Sequence, residues 1–207
     1  MVHFKHLICE KMIVALCGMQ GTGKDTFADQ LVRLGGFRKL SFASKLKDVV
    51  ATIFGWDRKL LEGNTEMSRL WRETPDTWWS EKLQRPEFTP RKALQLIGTD
   101  ALREHFDRSI WLYAMERSLA VYSTSNIVIT DVRFENEMLM LQQLGATFVW
   151  VQRGPLSKWF IQYMEHDVPP PPEIHPTDYV WASQLKFIKH TVCLQQRHAT
   201  EFKDTHE

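Results

Sequence analysis

Met12-Ile13-Val14-Ala15-Leu16-Cys17 runs directly into Gly18-Met19-Gln20-Gly21-Thr22-Gly23-Lys24-Asp25-Thr26, and Phe27-Ala28-Asp29-Gln30-Leu31-Val32 carries the chain on with helical periodicity. A strand, a glycine-rich turn and a helix in that order form a phosphate-binding loop. The glycines let consecutive backbone N–H groups turn inward around a polyphosphate, and the helix aims its positive end at the same anion. Lys24 then meets the outer phosphates as a point charge. Gly21, Thr22, Gly23, Lys24, Asp25 and Thr26 are the residues expected to hold this ligand.

One position departs from the general motif. The residue after the lysine is commonly Ser or Thr, whose hydroxyl ligates magnesium, whereas here it is Asp25, with Thr26 behind it. Its carboxylate has three uses open to it: holding a metal through water, acting on an acceptor phosphate, or stabilising the first turn of the helix. No metal ligand follows from the sequence alone.

The bulk properties narrow the setting. With 207 residues, 43% of them hydrophobic, the chain can bury one good core, and it reads as a single domain carrying an insertion. A net charge of +1, from 26 basic and 25 acidic side chains, gives no global field for nucleic acid or a membrane surface. Any anion site must be local. Cys9, Cys17 and Cys193 are widely spaced, without metal-ligand or redox-motif spacing, and read as thiols of a reducing compartment. The first residues do not read as a signal peptide, and no apolar stretch approaches a membrane span. A cytoplasmic protein is expected.

Strand and helix patterns alternate, which predicts an α/β fold with a mostly parallel sheet covered by helices on both faces. The core is placed at 11–153, an insertion at 55–89, and a C-terminal loop and tail at 154–207. Phe37 to Phe42 and Ile127 to Thr130 read as strands, as does Thr147 to Gln152; Lys45 to Phe54, Ser109 to Leu119 and Glu135 to Leu144 read as helices. A further helix starts at Thr89-Pro90-Arg91. The stretch Leu185 to Ile188 is a candidate short terminal strand, and the five prolines between Val168 and Pro176 mark a loop. Trp56, Trp71, Trp78 and Trp79 lie among many charges in the insertion, which reads as a cover for the site. Those tryptophans either stack on a base or anchor the insertion.

A second constellation, Asp131-Val132-Arg133-Phe134-Glu135-Asn136-Glu137, follows the Ile127 strand. In an open parallel sheet, ligands bind at the carboxyl ends of strands, so this acid and arginine emerge at the same edge as the glycine loop. Phosphoryl transfer needs two anionic reactants held in line and charge neutralised as it shifts. Lys24 and Arg133 meet that need. Asp131 either orients a metal, water or the arginine, or caps the helix starting near Phe134. An acceptor with its own phosphate calls for more fixed cations, and Lys45, Arg69, Arg72 and Arg91 are available upstream.

Taken together, these pieces resemble the deoxynucleoside monophosphate kinases of viruses and phages, a branch of the P-loop kinases. The resemblance is carried by Gly21 to Asp29, Phe42-Ala43-Ser44-Lys45-Leu46-Lys47, Arg91 to Asp100, Asp107-Arg108-Ser109-Ile110-Trp111, and Thr130-Asp131-Val132-Arg133 running on to Glu137-Met138. They stand in the family's order over most of residues 12–153, and the Lys-Asp-Thr form of the loop is usual there. The resemblance implies transfer of the γ-phosphate of ATP to a deoxynucleoside 5′-monophosphate, with magnesium. By motif, Lys24, Asp25, Asp131 and Arg133 would be catalytic. Lys45, Arg69, Arg91, Gln95, Gly98, Thr99, Trp111, Asp131, Arg133 and Glu137 would surround the monophosphate. A viral protein would work in the host cytoplasm, with no nucleic-acid or membrane partner and with a homodimer among the options. Base preference, ribose rejection and the adenine contacts are left open.

Two other functions keep the glycine loop. A kinase of phosphomevalonate or of a coenzyme A precursor would share the loop and the acid-then-arginine element, and a non-catalytic nucleotide-binding module would share the loop alone. The absence of a basic stripe argues against a nucleic-acid-associated module.

Overall fold

A computed structural model describes residues 11–19, 21–172, 174 and 188–194. The element order is β1 (Ile13–Cys17), α1 (Lys24–Gly35), β2 (Arg38–Leu40), α2 (Ala43–Phe54), α3 (Glu66–Glu73), α4 (Thr77–Lys82), α5 (Pro90–Gln95), α6 (Ile110–Val121), β3 (Ile127–Ile129), α7 (Glu135–Gln143), β4 (Thr147–Arg153), α8 (Lys158–His166) and β5 (Ile188–Leu194). A 3-10 turn lies at Leu60–Glu62, and a π-helical stretch, Leu96–Glu104, continues α5.

The five strands form one sheet in the order β2-β3-β1-β4-β5, and every neighbouring pair is parallel. Because side chains alternate across a strand, a sheet buried on both sides must be apolar at successive positions. β1 shows this directly. Ile13, Ala15 and Cys17 enter one core with Trp111 and Met115 of α6, Met138 and Leu141 of α7, and Phe160 of α8. Val14 and Leu16 enter the opposite core with Ala28 of α1. Ile127, Val128 and Ile129 of β3 are split between the same two cores and are fully buried. At roughly 1.5–3 kcal/mol for each such side chain, this burial fixes the central strands and hence the sheet edge that carries the glycine loop.

The insertion is helical and has its own small core. Val50, Leu61, Phe88 and Ala93 are buried there, with Phe54, Trp56, Trp71 and Trp79 packed around them. Trp56 stacks on Phe54 at 4.4 Å and donates Nε1–H to Asp76 at 2.8 Å; Trp79 donates Nε1–H to the Phe54 carbonyl at 3.1 Å. These three tryptophans anchor the insertion to α2, while Trp78 is 56% exposed.

Two features lie in the region expected to be loop and tail. α8 supplies Phe160 to the main core, and β5 adds a strand beside β4, so the sheet extends past residue 153. Residues 185–187 of the expected terminal strand lie outside the described residues; the observed strand begins at Ile188. Among residues 168–172 and 174 of the proline-rich stretch there is no helix or strand. A central β1 ending in a glycine loop, with α1 behind it, within a parallel 2-3-1-4-5 sheet, is the arrangement of P-loop kinases.

Candidate active site

The loop leaves β1 with backbone conformations that only glycine adopts freely. Gly18 has φ 140° and lies so close to β4 that a Cβ there would sit 2.4 Å from the Val151 carbonyl oxygen. Gly23, at φ 91°, forms the N-cap of α1. Between them Thr22 closes the turn, donating its hydroxyl to the Met19 carbonyl at 2.9 Å. Gln20 lies outside the described residues. Lys24 folds back over the loop, its Nζ donating to the carbonyls of Gly18 and Met19, each at 2.7 Å. The ammonium is therefore stationed on the loop itself. The buried Cys17 thiol beneath it is pushed up to about 12 by burial, against the pull of Lys24, and is inert as a nucleophile.

Asp25, 61% exposed, pairs with Lys39 of β2 at 2.8 Å, and Lys39 also reaches Asp29 at 3.0 Å. Burial works against the Lys39 charge, but the two carboxylates outweigh it and raise its pKa. Lys39 was not foreseen: its position on a short edge strand gives no sign that it will meet the first turn of α1.

Asp131 does not cap the helix that follows it. One carboxylate oxygen accepts the Phe42 N–H at 2.9 Å; the other accepts the Ser41 hydroxyl at 2.7 Å and the Ala43 N–H at 2.9 Å. The acid at the end of β3 thus caps α2, a helix with no side-chain cap of its own. Two of the backbone donors preceding Lys45 are consumed by this contact rather than left for a ligand. Lys45 lies one turn inside α2, largely exposed, with Asp48 3.5 Å away.

Glu137 corrects a sequence expectation. It is 2% exposed and faces inward. One oxygen accepts the backbone N–H groups of Arg133 at 3.0 Å and Phe134 at 3.2 Å, and the other accepts from Arg103 at 3.2 Å. The Arg103 guanidinium also lies 4.2 Å over the Phe134 ring. Burial, aided by the Asp131 charge, raises Glu137 to about 7 against the pull of these donors. Its place is beneath the turn that presents Arg133, not against a ligand. A glutamate at the third position of α7, the half of a capping box that reaches back to the N-cap amide, is the only sequence signal for this role, since Phe134 at the N-cap has no side-chain acceptor.

Trp111 is likewise internal. It is 6% exposed and donates Nε1–H to the Gly98 carbonyl at 3.0 Å, while a Cβ on Gly98 would fall 2.5 Å from Leu46. Gly98 and Trp111 therefore lock the π-helical stretch to α2 and α6 from behind. Gln95 and Thr99 are exposed on the neighbouring turns. Arg69 and Arg91 line one cavity of about 370 Å³ with Glu66, Leu70 and Glu73, and Arg91 is ion-paired to Glu73. The adjacent Arg72 lies against Gly63 with a buried Nε that has no hydrogen-bond partner; burial and the nearby Arg91 lower its pKa. Arg153, at the carboxyl end of β4, abuts Gly23 of the loop, a position that the rule on strand ends could have singled out.

The site can therefore bind a polyphosphate at the loop and present further cations from α2, α5 and the turn after β3. Among the described residues, no helix is long and apolar enough to cross a membrane. A family model described as deoxynucleotide monophosphate kinase matches residues 77–159. A protein of Acanthamoeba polyphaga mimivirus called a putative deoxynucleotide monophosphate kinase is 32% identical over 157 residues, spanning 70% of this chain and 76% of its own. The deoxynucleoside-5′-monophosphate kinase of Escherichia phage T5 is 46% identical over 55 residues, 27% of this chain and 22% of its own. Among solved structures, a sugar kinase from Janibacter sp. HTCC2649 superposes with a TM-score of 0.36 at 13% identity, covering 91% of this chain and 87% of its own. A gluconokinase from Sinorhizobium meliloti 1021 gives 0.35 at 14% identity, with 91% and 84% covered. Those two superpositions are too loose to bear on substrate. The mimivirus relative aligns along most of both chains, and by that measure this chain belongs to the deoxynucleotide monophosphate kinase family.

Proposed function

We propose that this chain transfers the γ-phosphate of ATP to a deoxynucleoside 5′-monophosphate, giving the deoxynucleoside diphosphate. The observation that carries this reading is the placement of Lys24 on the glycine loop at the same sheet edge as the Asp131–α2 contact and the Glu137-braced turn bearing Arg133. The loop amides and the N-terminus of α1 hold the donor's phosphates, and Lys24 follows charge onto the bridging oxygens. Lys45 and Arg133 draw in the acceptor's phosphate, Arg91 and Arg69 add positive charge beyond them, and Gln95 and Thr99 offer polar groups to the acceptor nucleoside. The acceptor oxygen is already ionised near neutral pH, so no strong base is needed. Holding both anions in line is the larger task.

The chemistry of the first turn of α1 suits a hard cation: the Asp25 carboxylate is 61% exposed although one oxygen pairs with Lys39, and Thr26 is exposed beside it. Magnesium bound there would neutralise charge on the phosphate oxygens. An activity on ATP and deoxynucleotides is consistent with the cytoplasm, the host's if the protein is viral. A coupled phosphoryl-transfer assay over the four deoxynucleoside monophosphates, their ribose counterparts and phosphomevalonate tests the reading. Turnover of phosphomevalonate without turnover of any deoxynucleotide would overturn it.

A further inference from the structure

α5 and the π-helical stretch that continues it form one coil from Pro90 to Glu104. Arg91, Gln95, Thr99 and Arg103 follow one another along it at intervals of four residues, so they lie near one side of the coil. The first three are assigned above to the acceptor. Arg103 differs: its side chain is 17% exposed and is spent on the turn between β3 and α7.

Two contacts fasten Arg103 to that turn. Its Nη2 donates to Glu137 Oε1 at 3.2 Å, and its guanidinium carbon lies 4.2 Å from the centre of the Phe134 ring. The other Glu137 oxygen accepts the N–H groups of Arg133 and Phe134, so one buried acid joins Arg103 to the backbone that carries Arg133. The acid needs the cation. Glu137 is 2% exposed and the Asp131 charge adds to the cost of ionising it, whereas Arg103 opposes that cost. A charged carboxylate is also the stronger acceptor for the two amides. Packing alone would call for an apolar side chain at position 103; a planar guanidinium held between an acid and a ring fixes direction as well as distance.

The coil is held from its other side too. The Gly98 carbonyl accepts Trp111 Nε1–H, and Gly98 packs against Leu46 of α2, the helix that carries Lys45. π-helical turns are rare and recur at functional sites; this one sets the spacing between the acceptor side of α5 and Arg103.

We propose that Arg103 is a positioning residue for phosphate transfer, holding the Arg133 turn, through Glu137 and Phe134, in register with the helical side that bears Arg91, Gln95 and Thr99. This rests on the acceptor assignment above and gives a role to an arginine outside every motif stretch quoted from the sequence.

The test is a double-mutant cycle between Arg103→Met and Arg133→Lys, reading kcat/KM for the preferred deoxynucleoside monophosphate, with hydrogen exchange of the 131–137 turn beside it. Arg103→Met should lower kcat/KM about tenfold in the unaltered background and less than about twofold beside Arg133→Lys, with KM for ATP level. Arg103→Lys keeps the charge but not the planar stack; it should recover part of the loss, and it carries the cycle if the Met variant does not fold. Exchange of the Arg133 and Phe134 amides, measured without substrate, should quicken about tenfold in Arg103→Met while the amides of β1 and β3 keep their rates. Equal losses in both backgrounds would show that Arg103 acts without Arg133 and overturn the proposal. So would a rise in exchange spread over the whole chain, or no change in either measurement. Exchange needs no turnover, so a chain inactive on every deoxynucleotide would fail as a kinase while the hold on the turn was still decided.

Discussion

Asp131→Asn is the perturbation that best separates the roles open to this acid. The carboxylate receives three hydrogen bonds from α2 and its approach, one on the first oxygen and two on the second. Asparagine has one acceptor oxygen. If it faces Ser41 and Ala43, its NH2 opposes the Phe42 N–H; if it faces Phe42, its NH2 can donate to Ser41 but opposes the Ala43 N–H. Either way one first-turn amide of α2 loses its partner, and the negative charge that complements the helix end is gone. A lost cap costs about 1 kcal/mol, and Asp131→Ala, which removes all three acceptors, costs about 2–3 kcal/mol. For a chain of this length these correspond to falls in Tm of about 2–4 °C and 5–10 °C. α2 carries Lys45, so fraying its first turn should raise KM for the deoxynucleoside monophosphate about three- to tenfold in Asp131→Asn while KM for ATP stays level. Thermal melts and steady-state kinetics with each substrate varied in turn give both readouts. If Asp131→Asn keeps Tm and both KM values but loses kcat by a hundredfold or more, the acid acts on the reaction or its metal and the positioning argument is wrong.

Lys24→Ala should lower kcat by about three orders of magnitude or more with little change in Tm, because the ammonium neutralises transferred charge; the coupled assay checks it, and full activity would remove Lys24 from the mechanism. Glu137 makes stability fall with rising pH. Its folded pKa, about 7, lies above the ordinary 4.5, so the folded state keeps a proton that the unfolded chain releases. The neutral side chain's contribution is complete below about 4.5, declines between 4.5 and 7 and is gone above, a loss of order 3 kcal/mol. Urea melts from pH 4.5 to 7.5 should show this limb in the unaltered chain and a flatter one in Glu137→Gln. Trp111→Phe should cost about 1–2 kcal/mol, read as a Tm drop of about 3–6 °C, through the lost Gly98 bond and a small cavity. Its kcat/KM for the monophosphate should stay within about threefold, whereas a loss of a hundredfold would put the ring in the binding site.

What the sequence made legible is what depends on local pattern. The glycine loop needs positive φ and small volume at fixed spacing, and β1 and β3 must be apolar at consecutive positions because both sheet faces are covered. Thr89-Pro90 marks a helix start by capping chemistry, and the structure shows Thr89 accepting the Lys92 N–H at 3.1 Å. What escaped depends on which elements meet. Asp131 reads either as an acid orienting a metal, water or Arg133 or as a cap for the helix beside it, and only the adjacency of β2 and β3 reveals that it caps α2. Glu137 and Trp111 sit inside motif stretches that also contain exposed positions, so spacing alone could not tell a surface residue from the residue that braces it. The terminal strand reads from the sequence as Leu185 to Ile188, whereas β5 runs on from Ile188 to Leu194, because it is an edge strand whose one neighbour is β4 and its alternation of polar and apolar residues is weak. The exposed side chains of this region are thus backed by residues one layer deeper, Asp131, Glu137 and Trp111, whose polar groups are engaged mainly by backbone atoms, with the Ser41 hydroxyl and the Arg103 guanidinium completing the two carboxylates. That division predicts which substitutions should act through substrate affinity and stability, and which through the rate of phosphate transfer itself.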